Sequence, residues 1–220
     1  MRLFGMIGLV VLGLQLMACG SKTEQNVTFT APHLPFMGPH EVKRTLQDDG
    51  SFRYDTVYHT IPPFSFTDQG GQIFTHENLR GKVYLADFFF TSCPTICPKM
   101  TNTMRMVQES LKGEKDFHLV SHSIDPDFDT PEVLRAYAAK KEADTTNWTF
   151  LTGDLLDIYD ICEFGYMAFA KPDPDAPGGI IHSGFLVLVD QNRHIRGAYD
   201  GTRSELVPTI VQDIQSLLYP

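Results

Sequence analysis

The run "GKVYLADFFF" at residues 81–90 constrains this chain more than any other stretch. It is apolar almost throughout, which suits a strand buried on both faces of a sheet rather than one with a wet side. Directly after it comes "TSCPTICPKM", with Cys93 and Cys97 four apart and a proline behind each. Ile96, Met100, Met104, Val107 and Leu111 then recur at helical spacing as far as Gly113, a residue that stops helices. The turn between strand and helix therefore carries two sulfurs at the carboxyl end of a sheet strand, where open α/β folds hold their ligands.

The remaining chain alternates in the same way. "FHLVSHSID" (117–125) reads as an alternating strand, and "DTPEVLRAYAAKK" as a helix capped by Thr130 with Pro131 at its first position. "WTFLTGD" is a short strand, and "LLDIYDICEFGYMAF" a helix with Leu155, Ile158 and Cys162 on one face. "GFLVLVDQNRHIRGAY" reads as a hairpin, followed by a helix through Leu206, Ile210 and Ile214. Upstream, "SFRYDTVYHTIPPFSFTDQGGQIFT" suits short strands around a "DQGG" turn. This order predicts an α/β chain of thioredoxin-like fold: a mixed central sheet flanked by helices, with a β-hairpin decoration on the N-terminal side.

The first twenty residues have another character. Arg2 precedes an apolar stretch from Leu3 to Met17, the layout of a secretory signal and short for a membrane span. Its end, "LMAC", resembles the lipobox after which bacterial lipoproteins carry lipid on cysteine. The expected organisation is a signal at residues 1–18, a flexible tether at 19–50 starting from a lipidated Cys19, and the folded domain at 51–220. That makes the protein an exported, membrane-anchored lipoprotein facing the periplasm or the cell exterior, with the lipid as its hold on the membrane. Without residues 1–18 the chain keeps 17 basic residues against 27 acidic ones. A balance that acidic argues against nucleic acid as a partner.

Cys93, Cys97 and Cys162 then remain, in an oxidising compartment. Cys162 falls on an apolar helical face and reads as core, as do Met100 and Met104. Cys93 and Cys97 sit where a helix N-terminus favours thiolate, and Pro94 and Pro98 stiffen the loop without costing the helix a hydrogen bond. Thiol oxidoreductases of this fold usually put two residues between their cysteines; here there are three. They also place a proline before the strand that opens the final hairpin, where this chain has "IIHSGF" with His182 and Ser183. Two thiolates and an imidazole select copper(I), which needs no fourth ligand, whereas structural zinc wants four. Redox pair and metal site both stay open on the residues alone.

Taken together, "DFFFTSCPTICPKMT", "SIDPDFDTP" and "IHSGFLVLVD" resemble the Sco/SenC family of thioredoxin-fold, copper-binding proteins of cytochrome c oxidase assembly. The likeness runs from about Ile61 to Leu218. It implies copper, as Cu(I) or Cu(II), on Cys93, Cys97 and His182. It also implies delivery to the oxidase's dinuclear copper centre, or prior reduction of that centre's cysteines. The partner would be the copper-bearing oxidase subunit or another copper chaperone. Asp125 and Asp129 match the acidic motif and are expected to orient or shield the site. His122 is expected on the surface or in strand packing. The competing expectation is a thiol–disulfide oxidoreductase using the Cys93/Cys97 couple. A peroxiredoxin fits poorly, because Phe90 stands where that chemistry uses a hydroxyl residue.

Overall fold

The computed structural model describes residues 34–220, so the expected signal and Cys19 lie outside the described residues. Eleven strands and four α-helices follow in chain order. They are β1 (His40–Leu46), β2 (Phe52–Tyr58), β3 (Ser65–Asp68), β4 (Ile73–Thr75), β5 (Val83–Phe89), α1 (Cys97–Ser110), β6 (Phe117–Ser123) and α2 (Pro131–Lys140). Then come β7 (Trp148–Thr152), α3 (Leu155–Asp160), β8 (Ala170–Pro172), β9 (Ile180–His182), β10 (Phe185–Val189), β11 (Ile195–Asp200) and α4 (Val207–Leu218).

Seven strands form the main sheet in the order β11-β10-β5-β6-β7-β3-β4. β5, β6 and β7 run parallel, while β10, β11, β3 and β4 pair antiparallel, so the sheet is mixed as expected. Every residue of β5 is buried, in keeping with its place at the centre. β6 is buried at every position too and does not alternate, so neither of its faces meets water. Helix α1 packs on α4, α4 on β5, and α2 on β7. Met100, Met104 and Val107 of α1 are fully buried, each burial contributing about 1.5–3 kcal/mol. Thr130 caps α2 by accepting the Val133 N–H at 3.4 Å.

Three elements differ from the reading of the sequence. Residues 40–46, expected within the tether, form β1 and pair with β2 along seven residues from His40↔Tyr58 to Leu46↔Phe52. The ordered domain thus begins before residue 51; β1 was hidden because none of its residues is buried. The helix at 155–169 is shorter: α3 stops at Asp160, a π turn covers Ile161–Gly165, and the chain then leaves the helix. Finally, β8 and β9 form a separate two-stranded hairpin that sequence patterning did not reveal.

Candidate metal centre

β5 delivers its last residues to the centre of the sheet edge, and the loop that follows turns back at once, with the Cys93 N–H donating to Phe90 O at 3.2 Å. Cys97 opens α1, and Ile96 at the capping position supplies no side-chain acceptor. The first-turn N–H groups are consequently left to other acceptors. Those of Thr95 and Cys97 serve Cys93 Sγ. Cys93 and Cys97 are both buried thiols.

His182 comes from the far side, on the last residue of β9. The β8–β9 hairpin is tied at its base by Ser183 N–H to Phe169 O (2.8 Å) and Phe169 N–H to Ser183 Oγ (3.1 Å). Its tip rests on the cysteine loop through Gly178, at φ +87°, where a Cβ would come within 2.8 Å of the Phe90 ring and 3.3 Å of Pro94. Only glycine allows both that backbone and that approach. His182 Nδ1 donates to the Ser183 carbonyl at 3.1 Å, which leaves Nε2 facing inward, 3.3 Å from Cys97 Sγ. The two sulfurs and a ring nitrogen all lie within 4.8 Å of one another. Three donors around one ion at bonds near 2.0–2.3 Å would be about 3.5–4 Å apart, so the triangle needs only a small contraction. The residues fit a soft, three-coordinate ion.

The two sulfurs are unlike. Cys93 is held as thiolate, its pKa down to about 3, chiefly by the Cys97 thiol donating to it and further by His182 and the two N–H groups, against the cost of burial. Cys97 keeps its proton far above the ordinary thiol range, because it is the donor of that pair and is itself buried. A carboxylate not foreseen from the sequence adds to this. Asp87, in the middle of β5, is 1% exposed with Oδ1 unpartnered, and its charge acts on Cys97 and His182. Burial pushes its pKa up to about 6, offset by the Ser121 hydroxyl and by His182. An acid interrupting a doubly buried apolar run was the signal available in "YLADFFF".

The acidic motif divides into two roles. Asp129 is fully buried and accepts from the Thr91 N–H (3.0 Å), the Thr91 hydroxyl and the Ser123 hydroxyl (2.6 Å), which fixes the start of the cysteine loop. Asp125 turns the chain instead, its carbonyl accepting from the N–H groups of Phe128 and Asp129. Neither appears among the three clustered ligand residues. His122 is not at the surface. It is fully buried on β6, stacked on Phe88 at 5.1 Å, edge-on to Phe64 and Phe66, and tilted against Tyr166, with neither ring nitrogen hydrogen-bonded. Burial alone pushes its pKa down to about 3. Cys162 is buried as expected, and burial pushes its thiol up to about 12. A shallow cleft over the site is lined by Cys93, Thr95, Ile96, His182 and two acids of the hairpin tip, Asp173 and Asp175.

A family described as SCO1/SenC matches residues 53–219. Among solved structures, a SCO1/SenC family lipoprotein from Bacillus anthracis is 38% identical, with a TM-score of 0.68 over 73% of this chain and 95% of its own. BsSco, a member of the Sco family of cytochrome c oxidase assembly proteins in which a disulfide switch was identified, is 34% identical, with a TM-score of 0.66 over 73% and 94%. Yeast Sco1 with copper bound is 26% identical, with a TM-score of 0.58 over 72% and 90%.

Proposed function

The chain belongs to the SCO1/SenC family, and on that premise we propose that it is a copper-binding protein that serves assembly of a dinuclear copper centre in cytochrome c oxidase. Cys93, Cys97 and His182 would hold one copper ion, as Cu(I) or Cu(II), and pass it to the copper-bearing oxidase subunit or exchange it with another copper chaperone. The observation that carries this reading is the convergence of two sulfurs and an inward-facing imidazole nitrogen within 4.8 Å. Thiolate and imidazole are the donors copper prefers. Asp173 and Asp175 at the mouth favour approach of a cation. Transfer proceeds by ligand exchange, an incoming thiolate replacing one donor at a time. The N-terminal sequence extends the reading to an exported lipoprotein anchored through Cys19.

The asymmetry of the two sulfurs supports a second reading, a thiol–disulfide oxidoreductase acting on the cysteines of that centre. Cys93 thiolate would attack a disulfide sulfur and expel one target thiolate. Cys97 would then lose its proton and displace the second, leaving a reduced target and a Cys93–Cys97 disulfide. That disulfide removes two copper donors, so the activities exclude each other at any instant. One experiment separates them: anaerobic Cu(I) titration of the reduced protein against a competing chelator, beside His182→Ala. One-to-one binding that weakens at least tenfold in the variant is expected. Equal affinity in both proteins, with rapid turnover of disulfide substrates, would leave the oxidoreductase as the function.

A further inference from the structure

The β1–β2 ribbon has two chemically distinct faces. Its register puts Val42, Leu46, Phe52, Tyr54 and Tyr58 on one side together with His40, Arg44 and Thr56, and Glu41, Lys43, Thr45, Arg53, Asp55 and a single apolar residue, Val57, on the other. Val42, Leu46 and Tyr54 are each 60–63% exposed, and Phe52 and Tyr58 are exposed as well. Arg44 lies over the Phe52 ring at 4.0 Å. Among the described residues both strands pair only with each other. Two strands alone are marginal in water, and contiguous exposed apolar side chains mark a surface that meets something.

The ribbon's position says what. Its base, where His59 N–H donates to Pro39 O, is fastened beside the β10–β11 turn: Met37 N–H to Ile195 O at 2.9 Å, Ile61 N–H to Arg193 O at 2.8 Å. β10 runs antiparallel to β5, with Val189 opposite Tyr84, so that turn lies where β5 begins. Cys93 follows the other end of β5, a strand length of about 20 Å away. The chain thus comes into the domain at the pole opposite the dithiol. The chain N-terminal to Leu34, whose carbonyl accepts from Arg196, joins the domain beside the ribbon's base, and the residues between Cys19 and Leu34 reach at most about 50 Å, so a lipid on Cys19 leaves the ribbon within reach of the bilayer.

We propose that the apolar face of the β1–β2 ribbon rests in the headgroup layer of the membrane, holding the dithiol pole outward; this rests on the lipid-anchor part of the proposed function. Tyr and Phe beside Arg are the side chains that sit at that depth, rings in the apolar boundary and polar ends in water. The net charge of -9 disfavours anionic lipid, so the surface is a zwitterionic one.

The test uses the full-length lipoprotein in vesicles of phosphatidylethanolamine with phosphatidylcholine brominated on its upper acyl carbons. Tryptophan is placed on either face, as Tyr54→Trp or Asp55→Trp, with buried Trp148 as internal reference. The expected result is emission roughly halved at position 54 and unchanged at 55. Floating protein in which neither introduced tryptophan responds, or both respond alike, overturns the ribbon's docking. So does a dimer in which the Tyr54→Trp indole is shielded from bromolipid, which would assign the face to a second copy. Flotation reads the anchor separately: the parent should float with vesicles and Cys19→Ala should do so far less, and equal flotation of the two would overturn the anchor without touching the quenching result.

Discussion

Asp129 and Thr91, 38 residues apart in the chain, are joined twice: the Thr91 N–H donates to Oδ2 at 3.0 Å, and its hydroxyl to Oδ1. With the Ser123 hydroxyl the carboxylate accepts three hydrogen bonds while fully buried. The acidic motif therefore acts on the cysteine loop from behind. It sets where the loop leaves β5, and through that where Cys93 points.

Asp129→Asn replaces an acceptor oxygen with a donor that faces other donors. Bonds to a buried charge are worth about 1.5–3 kcal/mol each, and part is regained by local rearrangement, so a loss of about 2 kcal/mol is expected. Calorimetry should show Tm lowered by roughly 4–8 °C, and Cu(I) affinity should fall with it. A variant with parental Tm and affinity would remove Asp129 from the loop's support.

The two sulfurs together should release about one proton on binding copper near neutral pH, not two, because Cys93 is already thiolate and of the pair only Cys97 has a proton to lose. Affinity should accordingly rise about tenfold per pH unit between pH 6 and 8. Calorimetry in buffers of different ionisation enthalpy counts the protons directly, and two released would contradict the asymmetry of the pair.

Two buried histidines should make the fold sensitive to acid. His122 and His118 have pKa values pushed down to about 3 and about 4, chiefly by burial. Unfolded, each takes a proton near 6.5, so the unfolded state binds more protons below that point and stability falls as pH falls from 6.5 towards 4. The slope is at most about 1.4 kcal/mol per pH unit for each histidine. His122→Phe fits the same aromatic box, removes two unpartnered nitrogens, and should flatten this slope without loss at pH 7. Urea titrations at pH 4.5 and 7 decide it; an unchanged slope would mean that His122 finds a proton partner in the fold.

Asp87→Asn should work in the opposite direction. The folded protein holds this proton to about pH 6 against 3.8 unfolded, so stability is lost as pH rises through that window and stays lost above it. Removing the charge should raise Tm at pH 7.5, by an equivalent on the order of 3 kcal/mol at most, and leave it unchanged at pH 3.5. Cys97, relieved of a like charge, should also react faster with iodoacetamide. If both readouts stay at parental values, Asp87 has no part in the site's electrostatics.

What the sequence disclosed and what it hid follow from burial. The centre of the sheet was readable because β5 has no wet face, and α1 because Met100, Met104 and Val107 repeat at helical spacing. Cys93 and Cys97 were readable from their place between the two. β1 escaped because it has only two apolar residues, Val42 and Leu46, with Arg44 between them on the same face, and none of its residues is buried. The β8–β9 hairpin escaped because its strands have three residues each, although "PDPDAPGG" between "AK" and "IIH" carries the turn residues that a hairpin needs. Asp87 passed as an interruption in a hydrophobic run, and of the two expectations for His122, the surface or strand packing, the structure shows the packing, because β6 has no wet face.

The three donors are not mounted alike. Two are welded to the central sheet and its first helix, while the third rides on the β8–β9 hairpin, a clasp that pairs with no strand of the main sheet and rests on the core through Ala170, Ile180 and the bare backbone of Gly178. Lifting that clasp takes one ligand from an ion without disturbing a single core strand. The site can therefore grip with three and let go from two, and the stiffness of a small hairpin sets how firmly it holds.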